Sequence, residues 1–274
     1  MPISAGRLRK RAAESGERLN TPSWFSAVEQ RGGVPRRGHL VLIAGVPNSG
    51  KSAIAQALVA EVNAPTLYFS ADQDAFQSYT KLAAALTGEQ TAAVAHNILN
   101  GVGEDYYDDV LSKSNIYFCT DSKPSLDDVG AELDAFVDTW DEYPEIIVID
   151  TLKNIDGNGE KQDDEWIISE LHSLARRTRA CVILLAHMSR ANVKDSTKPP
   201  GIKELINKLD ALPDLVLMVA YEADAETLWV AVGKTREGRA DPEANHPVSL
   251  KADFDRMAFG ISAAPSWGGW DSEG

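Results

Sequence analysis

Residues 40–52 read LVLIAGVPNSGKS. Gly45, Gly50, Lys51 and Ser52 complete the pattern G-x-x-x-x-G-K-[ST], with Val46, Pro47, Asn48 and Ser49 between the glycines. The chemistry needs these residue types. Glycines let backbone N–H groups turn inward around phosphate oxygens, a lysine neutralises the terminal phosphates, and a hydroxyl can hold Mg²⁺. The flanks agree with this reading. The apolar run over residues 40–44 enters the loop as a buried strand would, and SGKSAIAQALVAEV leaves it with Ile54, Leu58 and Val62 at helical spacing. The segment predicts a strand–loop–helix unit that binds a nucleoside triphosphate, ATP with Mg²⁺.

The pattern outside that segment predicts an α/β fold. TLYFS (66–70), NIYFC (115–119), EIIVID (145–150) and CVILLAH (181–187) read as buried strands. Residues 74–100 are Ala-rich and helical in tendency. Ser125 with Asp128 resembles a capping box that opens a helix to about Trp140, and residues 164–178 are amphipathic. DLVLMVA (214–220), LWVAVGK (228–234), HPVSLKA (246–252) and RMAFGIS (256–262) follow with few helices between them. Together these predict a mostly parallel sheet flanked by helices and finished by antiparallel strands. Residues 1–38 read as a basic arm and linker, with a short helix over 6–19 and breakers at Pro22 and Pro35. Residues 39–262 read as one ATPase domain, and 263–274 as a mobile acidic tail.

Net charge is −14, which opposes nucleic-acid binding by the whole surface. The arm carries eight basic side chains against three acidic ones, so it is +5 and the remainder −19. Such an arm suits docking on a neighbouring copy, or stays a solvated tail. Cys119 and Cys181 sit in apolar runs, as small buried residues of a reducing compartment do. No signal peptide and no 18-residue apolar stretch is present, which predicts a cytoplasmic protein without a membrane partner.

Five further residues carry candidate chemistry. Asp150 ends a strand, where side chains of such sheets reach the ligand crevice, and would hold the metal's water shell. Asp72, in the loop after the second strand, would orient or deprotonate the attacking water. A helix cap and a turn aspartate are the plainer readings of the two. His187 ends a third strand and would contact the γ-phosphate, or is a plain structural histidine. In GKTREG (233–238), Lys234 and Arg236 alternate with Thr235 and point to one face. They read either as a solvated edge or as cations delivered to a neighbouring subunit's ATP.

In this order GVPNSGKS, YFSAD, IIVIDTLKNIDG, VILLAHMSR and VGKTREG resemble the RecA-like ATPase core of the DnaB-like replicative ring helicases. The resemblance runs from about Arg37 to Gly260 and is to the minimal phage and plasmid type, since the usual N-terminal domain has no counterpart here. It implies a RecA-like P-loop fold and a homo-oligomer, a hexameric ring with ATP at each subunit boundary, moving on single-stranded DNA in replication. Loader, primase or polymerase proteins are the implied partners. Residues 157–165 and 198–219 resemble the family's two central-channel loops. Lys161, Lys194, Lys198, Lys203 and Lys208 are then candidates for DNA phosphate contact, or ordinary solubilising charges. The family carries glutamate where Asp72 stands. Aspartate is one methylene shorter, so it would need a bridging water or help from Asp74. Two other readings stay open: a RecA-like phage recombinase or single-strand-binding ATPase, and a nucleotide-switched regulatory ATPase.

Overall fold

A computed structural model of the chain describes residues 16–156, 163–189, 193, 195–205 and 209–261. Among the described residues nine strands form one sheet: β1 (Leu40–Gly45), β2 (Thr66–Ser70), β3 (Ile116–Cys119), β4 (Ile146–Asp150), β5 (Cys181–His187), β6 (Leu215–Glu222), β7 (Thr227–Thr235), β8 (Val248–Asp253) and β9 (Ala258–Ile261). Their spatial order is β3-β2-β4-β5-β1-β6-β7-β8-β9. The first six are parallel neighbours, and β6 to β9 pair antiparallel. This is the parallel sheet with an antiparallel end that the sequence predicts.

The central strands are continuous apolar runs up to their carboxyl ends because both faces are covered. Val41, Ile43, Tyr68, Val148, Ile183 and Leu217 pack on one face, beside Ile54 and Leu58 of the helix α2 described below. Leu42, Phe69, Ile147, Ile149 and Leu184 pack on the other, against Val129, Leu133, Ile168 and Leu171. Among the described residues the seven α-helices are α1 (Ser26–Gln30), α2 (Lys51–Val62), α3 (Ala75–Thr87), α4 (Thr91–Leu99), α5 (Glu104–Ser112), α6 (Leu126–Trp140) and α7 (Asp164–Thr178). The Ser125–Asp128 capping box is present at the start of α6. The Ala-rich stretch is two helices, because α3 ends at Gly88, whose left-handed φ of 74° closes the last turn. Residues 104–112 form a helix with Tyr107 as its one buried residue, too few to produce a helical apolar period.

Residues 19–38 are not a loose linker. Trp24, Phe25 and Val28 are buried. The Trp24 ring stacks on Phe259 at 5.0 Å and its Nε1 donates to Glu61 at 2.6 Å. Arg36 pairs with Glu237, and Arg37 stands 3.9 Å from Glu145, so part of the basic charge is spent on the domain itself. Three large apolar side chains over five residues outweigh the flanking prolines and glycines. Phe25→Ala is therefore expected to cost about 3–5 kcal/mol, read as a lowered denaturant midpoint. An unchanged midpoint would detach this segment from the core. The helix expected over 6–19 and the tail from 263 lie outside the described residues, apart from 16–19.

Candidate active site

Parallel pairing brings four strand ends together. Gly45 stands beside His187 across β1 and β5, and Ser70 beside Asp150 across β2 and β4. Asp72 follows Ser70 by two residues. The structure therefore collects the phosphate loop, Asp72, Asp150 and His187 at the carboxyl edge of the sheet. An open cleft of about 430 Å³ lies there, lined in part by Asn48, Lys51, Ser52, Asp72 and His187.

The loop geometry explains its glycines. A Cβ on Gly45 would lie 2.4 Å from Ser49 Oγ and 2.5 Å from the Val219 carbonyl oxygen. Gly50 has φ +86°, and a Cβ there would lie 2.7 Å from the Phe254 ring. Backbone crowding leaves Gly45 no room for a side chain, and the left-handed φ disfavours one at Gly50. Lys51 opens α2 and is buried. Its ammonium donates to the carbonyl oxygens of Gly45 at 3.1 Å and Val46 at 2.8 Å and to Ser49 Oγ at 3.3 Å. Burial pulls its pKa down to about 8, against the opposing charges of Asp150 and Asp72.

Asp150 lies beneath the cleft, 1 % exposed. Its Oδ2 accepts from the Tyr68 hydroxyl at 3.2 Å, while Oδ1 has no hydrogen-bond partner among the described residues. Burial raises its pKa, and the Ser52 and Tyr68 hydroxyls and the Lys51 charge oppose the rise. His187 Nε2 stands 4.0 Å from Asp72 Oδ2. Burial lowers the His187 pKa and the Lys51 charge adds to the effect, so the ring is neutral at neutral pH. Asp74 does not join this group. It caps α3, accepting from the Gln77 N–H at 2.8 Å.

The cleft also holds residues outside the motifs. Gln77 and Lys81 line it four residues apart on α3, one helix face. Lys81 donates to Gln73 at 2.9 Å, and burial lowers its pKa while Asp150 and Asp72 raise it. That spacing is a signal the sequence does carry. Phe254 and Met257, from the turn between β8 and β9, have no local motif and reach the loop only through the fold.

Lys234 and Arg236 stand elsewhere. Thr235 pairs with Leu215, and Leu215 with Val41, near the start of β1. The phosphate loop leaves the other end of that strand. Four residues at about 3.3 Å each put the two ends about 13 Å apart, before any loop length is added. Of the candidate DNA contacts, Lys203 bonds Glu243 at 2.5 Å and Lys198 stands 3.9 Å from Asp195. Lys161, Lys194 and Lys208 lie outside the described residues. Among the described residues no helix is long and apolar enough to cross a membrane.

The family model for the DnaB-like helicase C-terminal domain matches residues 22–250. The chain belongs to this DnaB-like family. It is an ATP-hydrolysing DNA helicase. The Gene 65 protein of Mycobacterium phage L5 is 31% identical over 244 residues, covering 86% of this chain and 91% of that protein. The Gene 65 protein of Mycobacterium phage D29 is 30% identical, covering 80% and 97%. A probable plasmid replicative DNA helicase of Chlamydia trachomatis serovar L2 is 23% identical over 85% of the chain, which spans 55% of that protein. In fold, the DnaB-like domain is similar to a solved ATPase domain, with TM-score 0.78 at 18% identity, covering 96% of this chain and 100% of that one. A DnaB-like replicative helicase described with its primase interactions gives TM-score 0.76 at 19% identity, covering 96% and 68%.

Proposed function

We propose that copies of this chain form a ring, hexameric by resemblance, that holds ATP at each subunit boundary and moves along single-stranded DNA during phage- or plasmid-type replication in the bacterial cytoplasm. The observation that carries this reading is the separation of Lys234 and Arg236 from their own phosphate loop. Two cations at the opposite edge of the sheet can serve a triphosphate only if another copy holds it.

Each boundary then works through named groups. Entry of the triphosphate draws the Lys51 ammonium off the Gly45 and Val46 carbonyls and onto the terminal phosphates. Asp72 orients or deprotonates the attacking water, and the neutral His187 ring contacts the γ-phosphate beside it. Lys234 and Arg236 of the next copy meet the charge that develops on the transferred group. The residues present fit a divalent cation. Asp150 Oδ1 is a buried oxygen without a partner among the described residues, and Ser52 offers its hydroxyl beside it. Ser52 would ligate Mg²⁺ directly and Asp150 would hold its water shell. When bound, the ion supplies neutralisation of the phosphate oxygens.

A ring also reconciles −14 net charge with DNA binding, since only the channel must be locally positive. Lys161, Lys194, Lys198, Lys203 and Lys208 remain its candidate contacts, and Lys198 and Lys203 must exchange their carboxylate neighbours for phosphate to serve. Primase is a partner class to test, alongside loader and polymerase proteins. Electron microscopy with a non-hydrolysable ATP analogue and single-stranded DNA, beside a forked-duplex unwinding assay, tests the whole. Closed rings that displace a strand are expected. Filaments that pair strands without unwinding a fork would move the chain to the recombinase reading, and a lone subunit under every condition would end both.

A further inference from the structure

Lys234 and Arg236 share one cradle. Lys234 Nζ donates to the carbonyl oxygens of Asp210 and Ala211 at 2.6 and 2.9 Å. Arg236 Nε stands 2.6 Å from Asp214 Oδ1. All three anchors lie in residues 210–214, the segment that leads into β6. Asp214 is itself held in place. It is 4 % exposed. Its Oδ2 accepts the Leu40 N–H at 3.0 Å, and its own N–H donates to the Leu40 carbonyl at 2.9 Å. On the far side His172 Nε2 of α7 stands 3.3 Å from Oδ2.

This arrangement gives a flexible side chain a fixed point. A buried carboxylate tied to the first residue of β1 cannot follow a mobile guanidinium, so the guanidinium follows it. Contact through Nε, the nitrogen nearest the stem, leaves the two terminal nitrogens for a second acceptor. The Arg236 side chain is 50% exposed, so it lies at the surface of the subunit. A planar fork held at its base suits a phosphate that belongs to another body.

We infer that Asp214 is a positioning residue for the reaction: it sets the Arg236 guanidinium, through Nε, in the orientation that meets the neighbouring copy's triphosphate. The inference rests on the delivery of Arg236 between copies. A plain structural carboxylate would make a different prediction, since its loss would harm the protein whether or not Arg236 is there. The backbone carbonyls of 210–211 do for Lys234 what Asp214 does for Arg236. One short segment thereby governs both cations.

The test is turnover and KM for ATP in the assembled protein with single-stranded DNA, for Asp214→Asn, Asp214→Glu, Arg236→Ala and the Asp214→Asn/Arg236→Ala pair. Asp214→Asn is expected to keep KM and lower kcat by about 100-fold, the scale of an ångström of misplacement. Asp214→Glu restores part of that loss. Asp214→Asn adds no further loss where Arg236 is already alanine, because a residue acting through another has nothing left to act on. Parental kcat in Asp214→Asn, or the same fold-loss in both backgrounds, overturns the positioning role. If Asp214→Asn shows no cooperative melt, Asp214→Glu carries the same cycle against Arg236→Ala. Failure of the underlying reading looks different: Arg236→Ala alone would then turn over ATP at the parental rate, and the inference would fall with it.

Discussion

Arg236→Ala is expected to leave ATP affinity close to that of the parent protein while lowering turnover by about 10³–10⁵-fold, the effect of losing a cation that meets transition-state charge in related phosphoryl transfer. The asymmetry follows from where the residue stands. Thr235 lies beside Leu215 at the amino-terminal end of β6, while the phosphate loop leaves the carboxyl end of the adjacent β1. The side chain therefore takes no part in its own subunit's grip on ATP, and its removal leaves Lys51, Ser52 and the loop backbone intact. On the proposed ring, what disappears is charge at the developing transition state of the next subunit's reaction. Mixing separates this from a distant structural effect. Copies with Arg236→Ala keep a working phosphate loop, and copies with Lys51→Ala keep a working Arg236. Co-assembled, they form some boundaries with both parts, so turnover in the mixture should exceed that of either variant alone. Two folded, co-assembling variants that stay inactive together would place Arg236 in its own subunit's chemistry or in none.

The parts of this site that were legible in the sequence are those whose chemistry is local. The phosphate loop is one uninterrupted segment whose residue types follow from phosphate chemistry, although the close approach of Val219 and Phe254 to its glycines comes from distant parts of the fold. Asp150 and His187 could be read because each ends a run of apolar residues, and a parallel sheet delivers such ends to one edge whatever the order of its strands. The fold class was legible for the same reason. Runs such as IIVI and VILLA are apolar on both faces and belong in a covered sheet. What escaped depends on distant pairing. Trp24 and Phe25 sit among prolines and glycines, and only the approach of Phe259 from the last strand shows that they are core. The helix over Glu104–Ser112 buries Tyr107 alone, so its sequence, EDYYDDVLS, carries no apolar period. Phe254 and Met257 line the cleft from a hairpin turn some 200 residues from the phosphate loop. Asp214 reads as the first residue of the strand DLVLMVA, and its contact with Arg236 appears only once β7 returns beside β6.

Lys51→Ala should abolish nucleotide use in every copy and yet leave a folded protein. The first half follows from charge. The ammonium is the one loop group that neutralises the terminal phosphates, and the loop's backbone N–H groups and Ser52 cannot replace a full positive charge in a recess. The second half follows from cost. Without nucleotide, Lys51 is a buried cation whose pKa burial has lowered to about 8, held by two carbonyls and one hydroxyl. Removing it deprives those acceptors of a donor but also removes a charge that is expensive to desolvate, and the two effects oppose one another. The melting temperature without ligand should therefore stay near that of the parent. The difference appears when ATP is added. A single-site ligand at 100 times its Kd stabilises the parent by about 2.7 kcal/mol, and in Lys51→Ala that ligand-linked shift should vanish along with turnover. A full shift in the variant would mean that the triphosphate is held by something other than Lys51. Set beside Arg236→Ala, the result divides the site in two: the residue inside the loop controls whether ATP is held, and the residue on the far edge controls whether it is cleaved.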